Sequence, residues 1–135
     1  MFYATYQVAD HYFDTVVRSR LTQSTARERI LYFFREYAVY NSEISIFALT
    51  KVLYNANNTC FHRSSANGML SILTELIAQA VESGEFSTEE SPQQIAEFFM
   101  ICMRGTVYDW CTCNGSYDLK QRMEDHMILL LRAFQ

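Results

Sequence analysis

The stretch Ser91–Asn114, SPQQIAEFFMICMRGTVYDWCTCN, decides the fold of this chain. Ser91 and Gln94 form the S-x-x-Q pattern of a helix capping box, and a proline stands in the first turn, where a helix tolerates one. Gly115 follows directly and is suited to stopping the helix. Residues 98–103 are all apolar, so the helix is predicted to be buried on more than one side.

Two stripes of mainly apolar side chains run along this helix. The first is predicted to pack against the helix's own domain and consists of Ala96, Phe99, Met103, Thr106 and Trp110. The second is predicted to meet a partner chain and consists of Phe98, Ile101, Cys102, Gly105 and Tyr108. Gly105 would let two helices approach closely. The helix is therefore predicted to be both core and interface.

The composition favours one helical domain spanning residues 1–135. Half of the residues are hydrophobic, whereas 4 Gly and 1 Pro are too few for the turns of a sandwich or barrel. The net charge of -4 gives no reason to bind nucleic acid or an anionic membrane. No apolar run approaches the roughly 20 residues of a membrane span. The chain begins without a basic leader, and its cysteines lie mostly among core positions, so a reduced, cytoplasmic setting is predicted.

Apolar residues that recur every three or four positions predict an all-α chain of six helices. These helices cover approximately residues 5–21, 25–40, 42–55, 59–83, 91–114 and 118–134. Thr25 opens the second helix with a capping box, and Ser42 is predicted to cap the third. Gly68 lies inside the fourth, where a kink or a close helix contact is predicted, and Gly84 ends that helix in a left-handed conformation. Short connections predict an antiparallel bundle.

Residues with catalytic or metal-binding chemistry are sparse. Cys111, Cys113 and His126 fall short of the four ligands and the pair spacing of structural zinc. Cys60 and His62 lack an evident carboxylate that would orient a nucleophilic pair. The chain is therefore predicted to be no enzyme and to hold no metal or cofactor. A mild basic cluster, interpreted as a solvated face, consists of Arg18, Arg20, Arg27, Arg29 and Arg35.

The second half of the chain resembles the C-terminal domain of TetR-type transcriptional regulators. The resemblance lies in LSILTELIAQAVESGEFS (Leu70–Ser87), in SPQQIAEFFMICMRGTVYDW (Ser91–Trp110) and in the closing amphipathic helix. The order of elements is characteristic of that family's second domain: a helix, the residues GEF, an acidic turn, a long helix with Gly and Trp, a short turn and a final helix. The family's helix-turn-helix domain has no counterpart before Phe13, so DNA would be reached only through an N-terminal domain missing from these residues.

The resemblance implies a division of labour between the helices. The last two helices of each subunit would form a four-helix interface in a homodimer. The earlier helices would enclose a cavity for a small apolar effector, and effector binding would shift the first helix. The chain would thus be the effector-sensing and dimerisation domain of a regulator. The alternative is a free-standing module that pairs with a full-length regulator and has no effector of its own.

The residues predicted for these two roles form two sets. The predicted dimer interface consists of Phe98, Ile101, Gly105, Tyr108, Met123, Met127, Leu130 and Leu131. The predicted effector-binding set consists of Phe13, Phe34, Tyr37, Phe47, Tyr54, Phe61, His62, Met69, Leu73, Phe99 and Met103.

Overall fold

The structure, a computed structural model, describes residues 8–44 and 68–135. In these ranges the chain forms five helices and no strand, so the predicted all-α class is confirmed there. Helix α1 covers residues 8–12 and continues through a π-helical turn, Phe13–Val17, and a 3-10 turn, Arg18–Arg20. The remaining helices are α2 (Ala26–Val39), α3 (Met69–Glu82), α4 (Pro92–Thr112) and α5 (Leu119–Leu131).

Four of these helices close a ring. Both α2 and α4 pack against α3 and against α5, so each of the four has two neighbours in the ring. Helix α1 lies against α3 through its π-helical turn. The ring is stabilised by burial of apolar side chains. Each of its four helices contributes fully buried ones: Phe33, Phe34, Ile72, Leu73, Ile77, Phe99, Met123 and Met127.

Both predicted ends of α4 are confirmed. The Ser91 hydroxyl accepts a hydrogen bond from the Gln94 N–H, and the Gln94 side chain accepts one from the Ser91 N–H, each at 3.2 Å. At the other end, the Gly115 N–H donates to the Trp110 carbonyl at 2.8 Å. Asn114 and Gly115 have positive φ angles of 55° and 67°, which is the conformation that ends a helix and turns the chain back.

A set of polar contacts holds the turn between α4 and α5. The Trp110 indole N–H donates to the Tyr117 carbonyl at 3.0 Å, and the Tyr117 hydroxyl donates to the Asp109 carboxylate at 2.9 Å. Burial, followed by that bond to Asp109, raises the pKa of the Tyr117 phenol to about 12. The Arg122 guanidinium lies over the Tyr117 ring, 4.0 Å from its centroid. The turn therefore fixes α4 and α5 relative to each other.

The predicted break at Asn41 and Ser42 is wrong. Helix α2 continues there into a π-helical turn, Tyr40–Ile44. The Asn41 amide donates to the Tyr37 carbonyl at 2.8 Å, and the Ser42 hydroxyl donates to the Ala38 carbonyl at 2.7 Å. A side chain that bonds back to the carbonyl four residues earlier continues the helix and does not cap a new one. The rest of the predicted third helix lies outside the described residues.

Gly68 is the N-cap of α3. The prediction that it lies inside a longer helix is wrong. Its φ of 85° and ψ of -158° form a combination that glycine adopts without steric cost. A Cβ at this position would overlap the carboxylate of Asp10 in α1. The close helix contact predicted at Gly68 is thus confirmed, and the kink is not, because the helix begins at Met69.

Gly84 and Phe86 shape the connection from α3 to α4. Gly84 adopts a φ of 82° at the end of α3, as predicted. Phe86 is buried, and its ring centroid lies 5.6 Å from that of Phe134 and 6.4 Å from that of Phe99. The Phe134 carbonyl accepts the Ser87 N–H at 2.8 Å. The connection therefore also holds the C-terminal end of the chain against α4.

Glu85 caps a different helix from the one that it follows. Its carboxylate accepts the backbone N–H groups of Ala26 and Arg27, both at 3.0 Å, and the Ser83 hydroxyl at 2.8 Å. A carboxylate at these free amides also interacts favourably with the helix dipole of α2. Burial acts to raise the pKa of the Glu85 carboxyl. The hydrogen bonds and the charge of Arg29 outweigh burial, so this pKa lies below its usual value.

We expect Glu85→Ala to lower the free energy of unfolding by about 1–2 kcal/mol at pH 7. Because the pKa of Glu85 is lower in the folded chain, its contribution is complete above the unfolded-state pKa of about 4.3 and is lost as pH falls through the folded-state pKa. Urea denaturation at pH 7 and at about pH 3 measures both effects. The control Glu89→Ala, in the same connection, should be near neutral. An equal loss for Glu85→Ala at both pH values would contradict the capping role.

Candidate functional site

An exposed apolar stripe runs along α4. Phe98, Ile101 and Tyr108 are 47%, 51% and 50% exposed, although all three are large and apolar. Gly105 lies among them on the same face of the helix, and a Cβ placed there would meet no atom within 4 Å. We call these four residues the α4 stripe. A small residue between large apolar ones suits the close approach of a second helix.

A groove between α4 and α5 adjoins the α4 stripe. It has a volume of about 400 Å³ and is lined by Cys102, Met103, Thr106, His126, Leu129 and Leu130. Leu129 is 59% exposed at its edge. Thr106 Oγ1 and His126 Nδ1 are 2.8 Å apart, so the two polar groups satisfy each other. The groove thus adds a mainly apolar surface from α5 to the α4 stripe.

The structure divides the predicted dimer interface into two parts. Phe98, Ile101, Gly105 and Tyr108 form the α4 stripe, and Leu130 is half-buried in the groove. The other predicted residues are fully buried within the described part of the subunit: Met123, Met127 and Leu131. Leu129, absent from the prediction, is the exposed apolar side chain of α5.

The described residues of the predicted effector-binding set mostly converge on the interior. Those that are buried come from α1, α2, α3 and α4: Phe13, Phe34, Tyr37, Leu73, Phe99 and Met103. Met69 is half-buried at the start of α3, and Met103 also lines the groove beside α5. The remaining predicted residues lie outside the described residues: Phe47, Tyr54, Phe61 and His62.

Phe33 joins the aromatic members of this set. Its ring centroid lies 4.9 Å from that of Phe13 and 5.0 Å from that of Phe34. Tyr37 in turn contacts Phe34, with centroids 6.2 Å apart. Edge-on and tilted pairs at these separations are favourable for aromatic rings. The interior between α1 and α2 is therefore a continuous aromatic surface, and Phe33 belongs to it although it is not in the predicted set.

A buried carboxylate on the flank of α2 was not predicted. Glu36 is buried and accepts the Tyr32 hydroxyl at 2.7 Å and the Tyr12 hydroxyl at 3.2 Å. The Arg20 guanidinium lies 3.6 Å from the same carboxylate. Burial, followed by the charge of Glu36, raises the pKa of Tyr12. The sequence signal is the four-residue spacing of Tyr32 and Glu36, which places both on one face of α2, whereas the bond from Tyr12 on α1 has no local signal.

Part of the predicted basic cluster forms ion pairs. Arg18 lies 3.0 Å from Glu75 and 3.5 Å from Asp14, in addition to the contact between Arg20 and Glu36. Arg18 and Arg29 also border a cleft of about 390 Å³ between α1, α2 and α3. The Arg18 and Arg20 guanidinium groups thus contribute to contacts between helices.

No metal-holding geometry appears in residues 8–44 and 68–135, where no group of three His, Cys, Asp or Glu side chains converges. Cys111 is buried and Cys113 is exposed, so the two side chains do not face the same environment. None of the helices in these same ranges combines the length and the apolar character that a membrane span requires.

Comparison with known families decides the assignment. Residues 14–133 match the family described as YsiA-like protein, C-terminal region, one of the TetR C-terminal families. The chain belongs to the TetR-type C-terminal domains. Such domains are regulatory rather than enzymatic and typically bind a ligand and dimerise. No curated protein and no solved structure gives a significant match to this TetR-type domain.

Proposed function

We propose that this TetR-type domain forms a homodimer through α4 and α5 and senses a small apolar effector inside the bundle. The observation that carries the dimer is the exposed α4 stripe, which continues into the groove beside Leu129. Large exposed apolar patches on a soluble domain mark contact surfaces. A two-fold axis near Gly105 would place the stripe of one chain on the stripe of the other.

The dimer is tested by the mass of the wild-type chain in solution. Light scattering behind size exclusion should give about twice the chain mass of 15.8 kDa. An obligate interface of this kind buries upwards of about 2,000 Å², so the dimer should persist at micromolar concentration. A mass of one chain under these conditions would contradict the proposal.

The effector cavity is supported by the family and by the convergence of buried aromatic and aliphatic side chains from α1, α2, α3 and α4. Ligand pockets are mostly apolar and carry a few oriented polar groups. The Tyr37 hydroxyl lies on the aromatic surface described above and is a candidate for such a group. Apolar ligands that fit this interior are the proposed effector class.

We expect Leu73→Phe to abolish binding of Nile red, an uncharged apolar dye, with little loss of stability. Leu73 is fully buried within the proposed effector set, and a larger side chain beside a cavity would fill it. In a closely packed core the same change costs about 1–3 kcal/mol. Dye fluorescence and urea denaturation measure the two quantities on the same samples.

Leu131→Phe is the matched control for this test. Leu131 is also fully buried, but it lies in α5 and outside the proposed effector set. It should lose stability and keep dye binding. If Leu73→Phe were as destabilising as Leu131→Phe and dye binding were unchanged, there would be no cavity beside Leu73.

A further inference from the structure

A titratable side chain lies in the surface proposed for subunit pairing. His126 is half-buried in the groove between α4 and α5, beside Leu129 and Leu130. The proposed dimer covers this groove, because the groove adjoins the α4 stripe. Imidazole is the side chain whose ordinary titration falls between about pH 5 and 8. The charge on this surface therefore depends on pH in the physiological range.

The two nitrogens of the His126 ring have different surroundings. Nδ1 lies 2.8 Å from the hydroxyl oxygen of Thr106, which is buried on α4. A hydroxyl can donate to a neutral ring or accept from a charged one, so this contact fits both states and supplies no negative charge. Nε2 has no hydrogen-bond partner among the described residues and is not sealed from solvent by them. In the separate subunit, water can therefore solvate this nitrogen.

The groove offers no opposite charge to a protonated His126. The described residues that line it include no carboxylate. Arg122 lies one turn before His126 on the same face of α5, and a like charge at this spacing opposes a second positive charge. Burial raises the pKa of the Cys102 thiol, so this group, which also lines the groove, is neutral near pH 7.

Other charged groups on the neighbouring elements point away or have contacts of their own. Arg104 and Glu124 are two residues from Thr106 and His126 respectively, which places them about 200° around their helices. The groups engaged elsewhere are Asp109 with the Tyr117 hydroxyl on α4, Asp125 with the Gln121 amide on α5, and Glu43 with Lys120 between the turn after α2 and the start of α5.

We propose that the homodimer dissociates in acid, because protonation of His126 places a charge in the covered groove. The inference rests on the proposed dimer and adds its regulation. When a partner covers the groove, Nε2 is removed from water, and a charged ring would be buried without an opposite charge. Burial of an unpaired charge is strongly unfavourable. The neutral ring is therefore favoured in the dimer, and the pairing of two protonated chains releases up to one proton from each.

The pH dependence has a definite sign. Because the dimer binds fewer protons than two separate chains, its Kd rises as the pH falls through the imidazole range, by at most about tenfold per chain for each pH unit. The net charge acts in the opposite direction. Each chain carries -4 at pH 7, so partial neutralisation in acid lowers the repulsion between two chains. Weaker pairing in acid therefore cannot arise from the net charge.

Fluorescence-detected sedimentation of the full chain, over a dilution series, measures the Kd of the dimer at each pH. For the wild type, the Kd should be at least about tenfold higher at about pH 6 than at about pH 8. His126→Gln keeps a polar side chain beside Thr106 and cannot become charged, so its Kd should be the same at both pH values. His11→Gln, at an exposed position of α1, is the matched control and should show the wild-type pH dependence.

The outcomes separate this inference from the proposed dimer. A wild-type Kd that is equal at both pH values would overturn the inference and leave the dimer standing, as would an equal pH dependence in the wild type and in His126→Gln. A mass of one chain at both pH values would contradict the dimer itself, and the inference would fall with it. Circular dichroism checks folding at each pH. If His126→Gln does not fold, His126→Asn replaces it with the same expected result.

Discussion

Ile101→Glu should convert the dimer into a monomer. Ile101 is 51% exposed within the subunit and lies on the α4 stripe next to the turn that carries Gly105. In the proposed dimer the two-fold axis brings each Ile101 close to the same surface of the partner, so the substitution buries two carboxylates in an apolar contact. An unpaired buried charge costs several kcal/mol. Light scattering should therefore give the mass of one chain, or of an aggregate if the exposed stripe associates non-specifically.

Leu130→Glu tests the same surface from α5, because Leu130 lines the groove beside the α4 stripe. Val8→Glu is the control, since Val8 is an exposed aliphatic residue on α1, far along the chain from the stripe. Circular dichroism should show that all three variants remain helical. A clean dimer for both Ile101→Glu and Leu130→Glu would contradict the interface on α4 and α5.

Phe99→Ala should lower the free energy of unfolding by about 3–5 kcal/mol. Phe99 has no exposed surface, and its ring centroid lies 5.4 Å from that of Phe134 and 6.4 Å from that of Phe86. Removing the ring would leave a cavity where α4, the connection from α3 and the C-terminal turn meet. Urea denaturation at a fixed protein concentration measures the loss.

The neighbouring Phe98 provides the control for this prediction. The two phenylalanines are adjacent in sequence, but Phe98 is 47% exposed and belongs to the α4 stripe. Phe98→Ala should weaken dimerisation and leave the stability of the separate subunit almost unchanged. A loss of less than about 1 kcal/mol for Phe99→Ala would mean that its ring faces an open cavity, because a packed Phe costs more to remove.

Local signals allowed the sequence to predict both ends of α4. The capping box of Ser91 and Gln94 and the turn at Asn114 and Gly115 involve residues close in the chain, and their geometry is largely independent of the rest of the fold. The same holds for Gly84, which ends α3 in a left-handed conformation. For such elements the chemistry that sets the structure lies within one helical turn.

The features that escaped prediction depend on contacts between distant residues. The sequence alone places Gly68 inside a long helix. Its position as the N-cap of α3 depends on Asp10, which lies far earlier in the chain and packs against it. The sequence alone indicates that Glu85 belongs to an acidic turn. In the structure it caps α2 by accepting the N–H groups of Ala26 and Arg27, which lie 59 and 58 residues away in the chain. Neither partner can be identified from periodicity, which describes one helix at a time.

The apolar stripe of α5 shows the same limit for the candidate site. The sequence groups Met123, Met127, Leu130 and Leu131 into one predicted interface, and it does not show which of them face the ring. The structure buries Met123 and Met127 and exposes Leu129. The side chains available to a partner are therefore fixed by how α5 is rotated against α2 and α4.

The hydrogen bond from Trp110 to the Tyr117 carbonyl gives this chain a built-in optical reporter. The chain has 1 tryptophan, so its tryptophan fluorescence comes from a single indole, which is 6% exposed at the turn that joins α4 and α5. Quenching and wavelength shifts therefore monitor the helix pair proposed for subunit pairing, with no dye and no engineered label.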